Sequence, residues 1–84
     1  MTHAEIEAKV IELAAKQAGV PAEEITRATH FQNDLHFDSL DVVEFAMELE
    51  DVFSVSLADE EIEKLLMVGD VVELLLARQT AGAS

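Results

Sequence analysis

Apolar residues in this chain return every three or four positions, and over no useful length do they alternate one by one. That spacing gathers them on one side of a helix and argues against a half-buried strand. Ile6, Val10, Leu13 and Ala14 form one stripe, and Val42, Phe45, Ala46, Leu49, Val52 and Phe53 form another. Val71, Val72, Leu74, Leu75 and Leu76 crowd a further segment. The pattern predicts an all-α fold, a four-helix bundle with three longer helices and one short third helix. Eighty-four residues are enough for one domain, read as 1–80 with a flexible tail at 81–84.

Local signals set the expected boundaries. Thr2 and Glu5 fit a capping box for a helix over 2–18, and Gly19 with Pro21 stops it. Residues 19–37 read as a long connection broken by Pro21, Thr26, Thr29, Asn33 and Asp34, with Ile25, Phe31 and Leu35 as pegs on the core. A loop of that length in a small domain is often functional. Asp38 is placed to cap a helix over 39–53, with Phe37 and Val42 set for a hydrophobic staple. Acids at Asp59, Glu60 and Glu61 open a short helix over 59–65, and a last helix covers 68–78.

Charge narrows the range of partners. Eighteen acids face five bases, a formal net charge of −13. Between Arg27 and Lys64 there is no Lys or Arg. Such a surface repels nucleic-acid phosphates and anionic lipid and speeds encounter with basic surfaces. A solvated coat that serves solubility is the plainer reading. No cysteine is present, so neither a disulfide nor a thiolate metal site is available. No apolar run reaches the ~18 residues of a membrane span. The expected setting is cytoplasmic, for a monomer that neither binds nucleic acid nor inserts into a membrane.

The helix over 39–53 has more apolar positions than one core face needs. Leu40, Val43 and Met47 recur at i, i+3 and i+7 away from the core side, bordered by Glu44, Asp51 and Glu50. Apolar anchors within a charged rim describe a partner-docking surface. The competing reading is that the short third helix covers this stripe.

Ser39 lies at the start of that helix, in the stretch DLHFDSLD. Unpaired backbone N–H groups and the positive end of the helix dipole make this position suited to a phosphate. A nucleophile is the second possibility, since His36 and Asp38 are near in sequence. Neighbours on one loop rarely converge into a triad, and no G-x-S-x-G elbow is present. A helix cap is the third, although Asp38 already supplies one. No calcium-loop pattern and no H-x-x-x-H spacing occur, so no dedicated metal site and no catalytic residue is expected.

The stretch DLHFDSLDVVEFAMELEDVF followed by LADEEIEKL resembles the dissociated (type II) acyl carrier proteins, over roughly residues 4–78. The resemblance implies a non-catalytic carrier with 4′-phosphopantetheine attached to Ser39 by a holo-carrier-protein synthase using coenzyme A. The arm's thiol would hold acyl intermediates as thioesters and shuttle them between enzymes of fatty-acid or related polyketide biosynthesis. The family's partner-facing positions fall on Asp38, Leu40, Asp41, Val43, Glu44, Met47 and Asp51, opposite basic docking surfaces. Its acyl-chain lining maps to Phe31, Phe45, Ala46, Leu49, Ile62, Leu65 and Leu74. The alternative is an acidic helical interaction module without a prosthetic group; a small hydrolase is a third.

Two departures from the family pattern stand out. His36 occupies a place where glycine is usual, so the backbone before the motif is expected to differ. Leu66 and Met67 replace two threonines before the last helix, which removes a cap and adds apolar surface.

Overall fold

A computed structural model describes residues 2–83 of the chain, with the side chains of 79–83 left out of account; Met1 and Ser84, the last of the expected tail, lie outside it. Its regular elements are helices: α1 (His3–Ala18), a single 3-10 turn (Ala22–Glu24), α2 (Ser39–Phe53), α3 (Asp59–Glu63) and α4 (Val68–Ala83). Among the described residues the extended pairing amounts to an isolated antiparallel bridge, His30 with Met67.

The ends of α1 follow from its sequence. The Thr2 hydroxyl accepts the Glu5 N–H at 3.2 Å and the Glu5 carboxylate accepts the Thr2 N–H at 2.8 Å, so orphan donors are satisfied reciprocally. Gly19 takes the left-handed conformation at φ 73° and donates to the Ala15 carbonyl at 2.8 Å. The long connection after it is held down by Ile25, Phe31 and Phe37, all buried, with Leu35 half-buried beside them. Its backbone is also tied to the start of α4. Phe31 N–H donates to the Leu66 carbonyl, Val68 N–H to Thr29 and Gly69 N–H to Arg27. Arg27 closes the same end, its guanidinium 2.9 Å from both Glu7 of α1 and Glu73 of α4.

The core is built from Ile6, Val10 and Leu13 of α1, Phe45 and Leu49 of α2, Leu57, and Val68, Val71, Val72 and Leu75 of α4. α1 packs on both α2 and α4, and α3 touches α2. Phe31, Phe37 and Phe45 cluster with ring centroids 5.3–5.9 Å apart, Phe31 stacked on Phe37 and Phe37 edge-on to Phe45, so the loop's aromatic pegs join the α2 face.

Three expectations need correction. Val52, on the core side by spacing, is left exposed in the last turn of α2. That helix stops at Ser54, which takes a left-handed φ of 53° and donates to the Glu50 carbonyl. α3 ends at Glu63 and not at 65, because Leu65 N–H reaches back only three residues to Ile62, a tightened turn that ends the helix. α4 continues past Arg78 to Ala83.

Candidate functional site

Asp38 and Ser39 divide two tasks at the start of α2. The Asp38 carboxylate accepts the Asp41 N–H at 2.9 Å, and the Asp41 carboxylate accepts the Asp38 N–H at 3.2 Å. The cap is therefore made without the serine. Ser39, the first helical residue, is exposed, and its hydroxyl has no protein hydrogen-bond partner among the described residues. No hydrogen bond joins it to His36 or to any other base there, so the elements of a triad do not meet. Nor, among the described residues, do three or more His, Asp or Glu side chains gather as metal ligands. Ser39 is a free hydroxyl at the positive end of a helix dipole.

The backbone that presents it is strained at one point. His36 adopts φ 58°, the left-handed region that costs an L-residue roughly 1–2 kcal/mol. This is a conformation that glycine adopts without strain.

A cleft of about 620 Å³ opens beside Ser39 between α2, α3 and the long loop. Phe31, Ala46, Ile62 and Leu65, named from sequence as an apolar lining, meet in its wall. Phe45, Leu49 and Leu74 do not: Phe45 and Leu49 are buried in the bundle core and Leu74 packs half-buried against it. The wall also contains His30, Leu57 and Leu66, which helix periodicity gave no means of finding. Glu50, at the cleft edge, accepts the Leu57 N–H at 2.8 Å and so fixes the turn between α2 and α3.

The second stripe of α2 is open to solvent. Leu40, Val43 and Met47 are 65%, 47% and 60% exposed, and α3 does not cover them. Asp38, Glu44 and Asp51 are exposed around them, while Asp41 is half-buried. Gln17 of α1 donates to both Asp41 and Glu44, at 3.3 and 3.1 Å, which holds two of the rim carboxylates in place. Beyond the cleft, Leu66 and Met67 add apolar surface at 53% and 40% exposure. Asp70 braces the turn before α4, its carboxylate accepting the N–H groups of Leu66 and Met67 at 3.1 and 3.0 Å, while the first-turn donors Val68, Gly69 and Asp70 reach the carbonyls of Thr29, Arg27 and Met67.

α3 carries a further tie. Glu61 pairs with Arg78 of α4 and also accepts the Ala58 N–H. The Arg78 hydrogen bond first, and the Ala58 N–H second, hold the Glu61 carboxyl below its ordinary value of 4.5.

A family model described as a phosphopantetheine attachment site matches residues 8–75. The chain belongs to the acyl carrier protein family. It is 42% identical over 81 residues to the acyl carrier protein of Rubrobacter xylanophilus, covering 96% of this chain and 100% of that one. With the Lactobacillus johnsonii acyl carrier protein the identity is 39% over 79 residues, 94% and 99% of the two chains. The solved acyl carrier protein of Enterococcus faecalis superimposes with a TM-score of 0.78 at 34% identity, over 92% of this chain and 98% of that one. Members of this family carry acyl groups on covalent 4′-phosphopantetheine, receive it from phosphopantetheinyl transferases and deal with acyl-processing enzymes; the chain is such a carrier. Among the described residues no helix is long and apolar enough to cross a membrane.

Proposed function

We propose that Ser39 is the attachment point and that the protein is a non-catalytic, cytoplasmic carrier of acyl thioesters. One observation supports this most: an exposed hydroxyl, relieved of capping by Asp38, stands at a helix N-terminus on the rim of an apolar cleft. The Ser39 hydroxyl gives up its proton and forms the new phosphoester bond as the nucleotide portion of coenzyme A leaves. The positive end of α2 and its unpaired N–H groups then stabilise the phosphodiester charge. The bound group supplies a terminal thiol on which acyl chains are held. Phe31, Ala46, Ile62 and Leu65 remove the apolar part of a short chain from water, at about 25 cal/mol per Å² buried.

Asp38, Leu40, Asp41, Val43, Glu44, Met47 and Asp51 form the surface offered to the transferase and the acyl-processing enzymes. Each exposed ion pair with an Arg or Lys of the partner contributes about 0–1 kcal/mol. Binding is therefore brief, as a shuttle requires. The test is incubation with coenzyme A and a promiscuous phosphopantetheinyl transferase. The wild type gains the mass of one phosphopantetheine unit and Ser39→Ala gains none. A wild-type mass that never changes, with docking to basic partners intact in Ser39→Ala, would instead identify an interaction module.

A further inference from the structure

His30 stands in the cleft wall with its backbone and its ring both fixed. It is half-buried, and its N–H donates to Asp34 Oδ2 at 2.7 Å. It is bridged to Met67, and the next residue's N–H is bonded to the Leu66 carbonyl at 3.0 Å. The ring's Nδ1 accepts the Asn33 N–H at 3.2 Å. Nδ1 thus uses its lone pair, and the neutral imidazole carries its proton on Nε2. Among the described residues no protein group accepts that Nε2–H.

The rest of the cleft selects the acceptor. Its walls are apolar at Phe31, Ala46, Ile62 and Leu65, and its charged groups, Glu50, Asp59 and Glu63, are all acids. An anionic group is repelled there. A cation gains nothing from an N–H donor. A neutral carbonyl oxygen is tolerated by the acids and satisfied by the imidazole, whereas without a donor it would lose its water hydrogen bonds for nothing.

We infer that His30 is a specificity-determining residue that donates from Nε2 to a neutral carbonyl of the tethered load. The inference rests on the Ser39 reading. That carbonyl belongs either to the acyl chain, as a β-keto group, or to an amide of the arm itself.

The test loads wild type, His30→Leu and His30→Gln with the bare arm, a medium-length saturated acyl arm, and its β-keto counterpart. Intact mass verifies each product, and the Tm of each is referred to its own unloaded protein. The β-keto load raises the wild-type Tm above the saturated load; His30→Leu loses roughly 4–8 °C of that gain, the shift for one hydrogen bond in a domain this size. His30→Gln, which keeps a donor, restores most of it. A loss shared by all three loads assigns the bond to the arm's amide. Equal gains in wild type and His30→Leu with every load overturn the inference and leave the attachment standing. Failure to load wild type overturns both. One reading needs no variant: the Nε2–H resonance of His30 in the wild type moves downfield on loading, and an unmoved resonance contradicts the inference.

Discussion

His36 is a histidine in a glycine's conformation. Its φ of 58° crowds the β-carbon against the backbone, and its exposed side chain makes no hydrogen bond or ion pair among the described residues that would offset this. His36→Gly removes the crowding and gives back part of the gain to chain entropy, so a net stabilisation of about 0.5–1 kcal/mol is expected. Urea denaturation reads it, with His36→Ala as the control that gains nothing. Met67 is the complementary case, an N-cap position with a side chain that cannot cap. Met67→Thr should nevertheless shift stability by no more than about 0.5 kcal/mol in the same assay, because the N–H groups of Val68, Gly69 and Asp70 already donate to the carbonyls of Thr29, Arg27 and Met67. The sequence allowed both departures to be seen, since each stands where a glycine or a threonine is usual. That the backbone takes a left-handed turn at His36 was not legible, because ties around it, such as Phe37 N–H to the Phe31 carbonyl, join residues no local signal pairs. Asp70's reach back to two N–H groups was equally hidden.

At the scale of the element, α2 has two apolar faces with different duties. Leu49 is buried, and Leu49→Ala should cost about 2–5 kcal/mol. Leu40→Ala and Met47→Ala lie in water and should change stability by no more than about 0.5 kcal/mol. They should nevertheless weaken the transferase reaction at low protein concentration, visible as a raised KM; a large stability loss would place them in the core after all. The start of α2 and its bounds were readable because Asp38, Phe37 and the apolar spacing are local signals. That Phe45 and Leu49 face the bundle core and not the cleft beside Ser39 was not legible, because a helical wheel identifies an apolar face, not which neighbour each position on that face meets. The Glu61–Arg78 pair brings α3 and α4 into the pH dependence. Glu61's folded-state pKa is lowered, so its contribution is complete above about pH 4.5 and is lost as pH falls below it. Glu61→Gln should therefore flatten the stability profile below pH 4.5 and lower stability near neutrality. An unchanged acid limb by urea titration would contradict that assignment.

The whole molecule is governed by its charge. Eighteen acids against five bases on one small domain repel one another, and the ion pairs that exist are exposed or half-exposed. Magnesium or moderate salt should raise the Tm by screening that repulsion, measurable by calorimetry; no rise would mean the carboxylates lie too far apart to interact. The same charge that limits stability draws basic partners to the exposed face of α2. The all-α class and the bundle were legible from periodicity alone. The clamp of Arg27 between Glu7 and Glu73 was not, because it joins residues distant in sequence.

The central claim is that Ser39 bears the prosthetic group, and peptide mapping by mass spectrometry of the protein taken from its own cells tests it most directly. The account predicts that the fragment containing Ser39 carries one phosphopantetheine, with fragment ions assigning it to that side chain. An unmodified Ser39 peptide throughout, or the added mass on any other residue, would contradict it.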